Sequence, residues 1–196
     1  NFKLDEGVMA VEFGGIRDLN ITGNDEDNYI IGNDGDNKIY GGAGDDVILA
    51  GEGDDIVKGG SGDDVLDGSA GNDKVYGQRG DDIVIATGET DVATEDLISG
   101  GSGNDTLVDA ANKTTGEVVI VAGSGNDTIS FGAARTNVDY QAAAPVSENT
   151  YAERKINSHL IDLSKNDKLD LKGISSVAEA NIPTTLLTGT DAANLA

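Results

Sequence analysis

Glycine, acidic and aliphatic positions recur with a period of nine residues between Gly41 and Ile85. Five blocks follow one another without a gap, in the order GGAGDDVIL, AGEGDDIVK, GGSGDDVLD, GSAGNDKVY and GQRGDDIVI. The fourth place of every block is glycine, the sixth is aspartate and the eighth is aliphatic. A fixed period of this kind indicates a repeat protein, in which one short structural unit stacks on the next.

Each block predicts a turn followed by a very short strand. Its first six residues combine glycines, which adopt positive φ without strain, with carboxylates that disfavour burial. Its last three residues are rich in β-branched and aliphatic side chains, which suit a strand. Two blocks per circuit give a coil with two parallel sheets, and the eighth-place side chains then point inward from both sheets. These inward positions are Ile48, Val57, Leu66, Val75 and Val84.

The sixth-place carboxylates need a positive counter-charge, because on successive coils they would lie about 5 Å apart, at the spacing of β-strands. The apolar core is also thin. One buried aliphatic side chain contributes roughly 1.5 to 3 kcal/mol, whereas ordering each residue of a block costs about 1 to 2 kcal/mol. Calcium meets both needs, because Ca²⁺ takes oxygen ligands from carboxylates and from the backbone carbonyls of glycine-rich turns.

The blocks resemble the nonapeptide GGxGxDxUx of the RTX (repeats-in-toxin) family. The resemblance implies an all-β fold, a right-handed parallel β-roll with a small C-terminal β-rich cap, with calcium between turns one full coil apart. We expect roughly six to nine Ca²⁺ ions. The expected ligands are sixth-place side chains and backbone oxygens of fourth-place glycines: Asp46, Asp55, Asp64, Asp73, Asp82, Asp96, Asp105, Asp127, Asn28 and Asn37, with Gly44, Gly53, Gly62, Gly71, Gly80, Gly103 and Gly125.

The nine-residue frame extends upstream of the five blocks. The eighth place stays aliphatic there, at Ile21, Ile30 and Ile39, but the sixth place becomes asparagine at positions 28 and 37. Asparagine offers an oxygen without a charge. We therefore expect weaker calcium binding at these early turns, or recruitment of nearby acidic residues.

Downstream of Ile85, enlarged segments at 86–99 and 109–121 interrupt the frame. If each segment replaces one half-coil, both bulge from the same edge of the roll, and the opposite edge carries an uninterrupted row of loops. That row extends to Asp127. On the interrupted edge Val118 occupies the last sixth place, which predicts that the row of ions stops earlier.

Charge divides the chain and excludes several classes of partner. Residues 1–131 hold 28 acidic and 7 basic side chains, and the whole chain carries a net charge of −23. We therefore expect no nucleic-acid partner and no membrane insertion. The absence of cysteine excludes disulfides and thiolate metal sites. We divide the chain into N-terminal cap strands with a degenerate repeat (1–22), the RTX roll (23–131) and a C-terminal cap that forms part of a secretion-signal region (132–196).

No catalytic motif stands out. His159 is the single histidine, which excludes HExxH and any multi-histidine zinc site. We predict a non-catalytic calcium-binding module that folds on Ca²⁺ outside the cell. The resemblance implies a secreted or cell-surface protein, exported by type I secretion machinery, as part of a large adhesin or surface protein. The alternative is the C-terminal RTX domain of a secreted enzyme, such as a serralysin-like protease, a lipase or an epimerase.

One outer face is predicted to be apolar. The seventh and ninth places that follow the uninterrupted edge include Tyr29, Ile31, Val47, Leu49 and Ile83. An exposed apolar strip of this size is typical of an interaction surface. Our hypothesis is that it makes a protein contact, with the C-terminal residues, a partner or a second copy.

Overall fold

The computed structural model describes residues 1–86, 95–109 and 117–131, with six short strands beyond them. Twenty strands form two sheets and no helix is present among the described residues. The odd-numbered repeat strands are β1 (Phe2–Lys3), β3 (Asn20–Thr22), β5 (Lys38–Ala43), β7 (Ile56–Ser61), β9 (Lys74–Arg79), β11 (Glu95–Ser102) and β13 (Glu117–Ser124). The even-numbered ones are β2 (Ala10–Glu12), β4 (Tyr29–Ile31), β6 (Val47–Leu49), β8 (Val65–Asp67), β10 (Ile83–Ala86), β12 (Thr106–Asp109) and β14 (Thr128–Phe131). The last six are β15 (Val138–Ala142), β16 (Ala152–Ile156), β17 (His159–Leu163), β18 (Lys168–Asp170), β19 (Val177–Ala178) and β20 (Leu187–Thr188).

The chain alternates between the two sheets, so that each pair of blocks makes one coil. The larger sheet has the order β1-β3-β5-β7-β9-β11-β13-β17-β16-β15-β19, and the smaller has the order β2-β4-β6-β8-β10-β12-β14-β18-β20. Neighbouring repeat strands are parallel throughout. The fold is a parallel β-roll of about six turns, as the sequence predicts.

The core is one aliphatic residue thick on each side. Eighth-place side chains stack in register, for example Ile39 on Val57 in the larger sheet and Ile48 on Leu66 in the smaller one. All of them are completely buried, which confirms the predicted inward positions: Ile21, Ile30, Ile39, Ile48, Val57, Leu66, Val75, Val84, Ile98, Leu107, Ile120 and Ile129. Because each contributes roughly 1.5 to 3 kcal/mol, this core needs further stabilisation from the loops.

The N-terminal residues add one strand to each sheet. β1 pairs with β3 and β2 pairs with β4, both parallel, so the first coil is built without the glycine repeat. Leu4 is buried, and the rings of Phe2 and Phe13 are 4.7 Å apart. These contacts cover the first eighth-place residues with apolar side chains.

The topology also confirms the arrangement of the two edges. Both enlarged segments connect a strand of the smaller sheet to the next strand of the larger one, β10 to β11 and β12 to β13. The strands that flank the two segments therefore meet at the same edge of the roll, as predicted. The loops of the opposite edge follow one another at every coil.

Beyond the repeats, β17 and β18 continue the roll. β17 pairs in parallel with β13, and β18 pairs in parallel with β14, so each sheet gains a strand and the roll gains one more coil. β16 adds to β17 in an antiparallel arrangement. The division of the chain at residue 132 stays a prediction. In the part of the chain that the structure describes, no helix has the length and apolarity to cross a membrane.

Candidate metal centre

The loops owe their shape to left-handed backbone at two places in each block. The fourth places have φ between 99° and 145°, at Gly44, Gly53, Gly62, Gly71, Gly80, Gly103 and Gly125. The φ angles of the second places are also positive. Among the described residues, the two non-glycine residues with positive φ stand at second places, and they are Ser69 (69°) and Gln78 (90°). The fourth place has a further restriction, because a Cβ on Gly62 or Gly80 would run into the carbonyl oxygen of the fourth-place glycine one coil earlier.

The sixth-place side chains turn inward from these loops and are all buried, with at most 3% of their surface exposed: Asn28, Asn37, Asp46, Asp55, Asp64, Asp73, Asp82, Asp96, Asp105 and Asp127. One carboxylate oxygen of each aspartate accepts a hydrogen bond from the sixth-place N–H of the coil before. The Asp46 N–H donates to Asp64 Oδ1 at 2.8 Å, and the Asp64 N–H donates to Asp82 Oδ1 at 2.9 Å. The carboxylates thus form a continuous ladder along each edge.

The two ladders differ in length. On the uninterrupted edge the ladder runs through residues 28, 46, 64, 82, 105 and 127. On the other edge it runs through residues 37, 55, 73 and 96. There Asp96 is level with Val118 of the next coil, which has no side-chain oxygen. That these residues bind metal stays a prediction, but the structure brings all of them into two regular rows.

The second carboxylate oxygen meets another acceptor. The Oδ2 atoms of Asp46, Asp55, Asp64 and Asp82 are buried and accept no hydrogen bond. The Oδ2 of Asp46 and the carbonyl oxygen of Gly59 in the next coil both come close to the place that a Cβ on Gly41 would occupy. Two acceptors without a hydrogen between them repel each other, and leaving a buried acceptor unsatisfied costs about 1 to 3 kcal/mol.

Asn37 shows what would satisfy this arrangement. Its Oδ1 accepts from the Leu19 N–H at 3.3 Å, in the manner of the aspartate ladder. Its Nδ2 donates to the carbonyl oxygens of Asn33 at 3.2 Å and of Ala50 in the next coil at 3.4 Å. An amide N–H₂ therefore occupies the position that Oδ2 takes in the aspartate loops. Where aspartate replaces asparagine, a cation can take the place of these hydrogens.

The chemistry of these positions fits calcium. The nearby donors are carboxylate and carbonyl oxygens, which a hard cation prefers. Among the described residues no group of three or more carboxylate, histidine or cysteine side chains converges on one point. Each loop contributes only one inward carboxylate, so backbone oxygens must supply the rest of the ligand set. This is why the turns, and not the side chains alone, define the sites.

Burial perturbs the ionisation of the carboxylates. It raises the pKa of Asp46 and of Asp82 to about 6, of Asp55 and of Asp64 to about 7, and of Asp73 to about 8. Neighbouring carboxylates add to the rise in pKa, while the backbone hydrogen bond of the ladder opposes it. Without a cation the roll therefore holds protons that the unfolded chain has already released.

We expect calcium binding to release protons and to weaken as the pH falls. The metal-free roll binds more protons than the unfolded chain between pH values of about 4 and 8, so its stability falls as the pH rises through that window. Calcium requires the ionised carboxylates, so its apparent affinity falls roughly tenfold per pH unit for each linked proton. Calorimetry at about pH 6 in two buffers of different ionisation enthalpy measures the release. Equal calcium affinity at pH 6 and pH 8 would contradict the assignment of these buried carboxylates as calcium ligands.

A second ladder, which the sequence analysis missed, lies outside the first. The fifth-place side chains are exposed, and their Oδ1 atoms accept from the fifth-place N–H of the following coil. The Asp45 N–H donates to Asp27 at 2.8 Å, and the Asp63 N–H donates to Asp45 at 2.8 Å. On the other edge the backbone and side chain of Asn72 both donate to Asp54, which lowers the pKa of that carboxyl group. The acidic or asparagine residue at nearly every fifth place was the available signal.

The side-chain amide of Asn28 also makes hydrogen bonds within the protein. Its Nδ2 donates to Asn24 Oδ1 at 2.9 Å, and its Oδ1 accepts from the Asn24 N–H at 3.0 Å. The side chain of Asn24 in turn donates to the carbonyl oxygens of Asp5 and Val8. At position 37 an amide N–H donates to the carbonyl oxygen that a cation would otherwise meet, and at position 28 the side chain carries no charge. This agrees with the expectation of weaker calcium binding there, which stays a prediction.

Replacing Asn37 by aspartate should strengthen calcium binding at its turn. The substitution exchanges the Nδ2 donor for an oxygen facing the carbonyl of Ala50, and so restores the arrangement of the later loops. The number of bound calcium ions, measured by calorimetry, should rise by about one. Asp36→Asn, at the adjacent exposed place, serves as the control and should leave the count unchanged. An unchanged count for Asn37→Asp would show that the inner oxygen does not define the site.

A comparison with known families agrees with this geometry. The RTX calcium-binding nonapeptide repeat (4 copies) matches residues 22–57, 49–84, 58–93, 93–108 and 114–135, which together exceed half of the chain. A roll of stacked glycine-aspartate loops defines a calcium-binding repeat module. The chain belongs to the RTX calcium-binding repeat family, and its repeat array is a non-catalytic structural module that binds Ca²⁺. No curated protein matches the chain.

Proposed function

We propose that calcium binding drives the folding of this roll, with ions held between successive loops along both edges. The observation that carries the proposal is the row of buried Oδ2 atoms that accept no hydrogen bond, with a carbonyl oxygen of the next coil close by beside Gly41 and Gly77. The ligands would be the aspartates of the two inner ladders, with backbone oxygens of the fourth-place glycines. Roughly six to nine ions would bind, more of them on the uninterrupted edge.

Linkage makes the response to calcium steep. Each ion that binds only the folded chain stabilises it by about 2.7 kcal/mol at a concentration one hundred times its dissociation constant. Several such ions together outweigh the deficit left by the thin core. The module would then be unfolded where free calcium is scarce and folded where it is abundant.

Removal of calcium tests this function directly. We expect the far-UV circular dichroism of the calcium-loaded chain to lose its strand signal in excess chelator and to recover it when Ca²⁺ is added back. Mg²⁺ at the same concentration should restore little, because it demands a smaller octahedral site. A strand signal that persists unchanged in chelator would overturn the proposed coupling.

We further propose that the module belongs to a large adhesin or surface protein that leaves the cell by type I secretion. Calcium-coupled folding suits export as an unfolded chain, and the absence of cysteine makes the chain independent of disulfides. The apolar strip on the smaller sheet supports attachment or assembly, because Tyr29 and Ile83 remain 42% and 40% exposed.

Antibodies raised against the calcium-loaded roll test this placement on intact, non-permeabilised cells of the source organism. Surface labelling that disappears when the type I transporter is deleted is the expected result. Labelling found only after permeabilisation would contradict secretion. Recovery of the module from the medium, on a chain with hydrolase or epimerase activity, would favour a secreted enzyme instead.

A further inference from the structure

Positive charge gathers on the outer face of the larger sheet. Residues 1–131 contain 28 acidic and only 7 basic side chains. Three of these seven, Lys38, Lys58 and Lys74, lie on the adjacent strands β5, β7 and β9. In so acidic a protein, this concentration of lysine on one face has no counterpart in the two loop edges.

Strand register places the lysines in a pattern with two tyrosines. Lys38 and Lys74 flank Ile56 at one level of the sheet, and Tyr40 and Tyr76 flank Lys58 at another. The Lys58 ammonium lies 5.4 Å from the centre of the Tyr40 ring and 5.9 Å from that of Tyr76. Together with Gln78 these residues line a shallow groove of about 570 Å³. Because strands are about 4.8 Å apart, the two outer lysines and the two tyrosines each span about 10 Å.

The groove lacks anionic groups of its own. None of its lining residues is acidic. Within the described ranges 1–86, 95–109 and 117–131, Lys58 makes cation–π contacts with the two tyrosines, and none of the three lysines makes a salt bridge. An occupant must therefore bring the negative charge. It must also present faces that can lie on half-exposed tyrosine rings.

We propose that this groove binds an extended acidic polysaccharide, with sugar rings on Tyr40 and Tyr76 and carboxylates at the three lysines. Tyrosine offers a large, flat, partly apolar surface with a polar tip, which suits the mixed surface of a sugar ring. Lysine pairs with a carboxylate as a mobile point charge. Lys58, held between the two rings, would meet the carboxylate at the centre of the groove.

Charge density favours this polymer over two other anions. A nucleic-acid strand carries one phosphate per about 3.4 Å, so outside the groove its dense charge meets the acidic surface of the roll and is repelled. A second copy of this chain would bring its own net charge of −23. A chain with one carboxylate per sugar or per disaccharide is repelled less by the remaining acidic surface.

Binding of defined oligosaccharides to the calcium-saturated protein tests the proposal. We expect decamers of hyaluronan or galacturonate to bind, and a neutral chitin-derived oligomer of equal length not to bind. Lys58→Gln should weaken binding by about fivefold to tenfold, and Lys38→Gln with Lys74→Gln by at least as much. The affinity should fall as NaCl is raised. Lys3→Gln, which removes the same charge outside the groove, should have little effect.

Several results would overturn the assignment. One is that neither acidic decamer binds. Another is that Lys3→Gln and Lys58→Gln lose affinity for the decamers equally, and a third is that a single-stranded DNA oligomer binds more tightly than the decamers. The inference rests on the calcium-folded roll, because β5, β7 and β9 must be in register. Circular dichroism of each sample in calcium therefore separates the two proposals: a folded chain that ignores the sugars contradicts this one alone.

Discussion

Asp64→Asn is expected to remove calcium from the middle of the uninterrupted edge and, at the same time, to stabilise the metal-free roll. Asparagine keeps the Oδ1 acceptor for the Asp46 N–H. Its Nδ2 would replace a buried oxygen that accepts no hydrogen bond and would face the next coil as the amide of Asn37 does. The effects on the two forms of the protein therefore have opposite signs.

In calcium, the variant should lose about one ion and about 2.7 kcal/mol of stability when that ion is present at one hundred times its dissociation constant. Without calcium it should gain about 1 to 2 kcal/mol, from removing an unsatisfied buried acceptor. Denaturant unfolding with and without calcium measures both effects. Asp63→Asn removes the same charge at the adjacent exposed place. It should change the free energy of unfolding by no more than about 0.5 kcal/mol, with or without calcium. A loss of stability in both conditions would contradict the account.

Gly62→Ala is expected to destabilise the roll strongly. Gly62 has φ of 127°, which an L side chain rarely adopts, and its added Cβ would run into the carbonyl oxygen of Gly44. The clash is with the backbone of Gly44, so no rotamer change relieves it. We expect a loss of about 3 kcal/mol or more, with a matching rise in the calcium concentration needed for folding.

Two glycines of the first coil separate the causes of this effect. Gly15 has φ of 107° and open space around it, so Gly15→Ala reports the backbone strain alone. Gly14 has neither positive φ nor a neighbour within 4 Å, so Gly14→Ala should be close to neutral. The expected order of destabilisation is Gly62→Ala, then Gly15→Ala, then Gly14→Ala. Equal effects at all three would show that the stacking of loops does not restrict the fourth place.

The fold was predictable because the period itself carries the geometry. Once two blocks make a coil, the eighth places must stack, and the register of Ile39 on Val57 follows from counting eighteen residues. The same count assigns each loop to an edge. It also places Val118 level with Asp96, where one ladder ends. The burial of the sixth-place aspartates follows in turn, because they precede the inward aliphatic residue by two places.

Other features depend on contacts that counting does not reveal. The sequence predicted no role for the exposed fifth-place carboxylates of the GDD loops, yet Asp45 accepts a hydrogen bond from the Asp63 N–H. The roles of Asn24 and Asn37 require knowing which amide hydrogens reach which carbonyls. Beyond residue 131 the period is lost, so the sequence predicted a β-rich cap but not that β17 and β18 would each join a different sheet.

Diffraction from crystals grown in calcium tests the central claim most directly, through the anomalous signal of the ions. The account predicts peaks in two rows, each between an inner-ladder Oδ2 and the first-place carbonyl of the following coil, with the longer row on the uninterrupted edge. Loops stacked as described but holding no ion at these positions would contradict it.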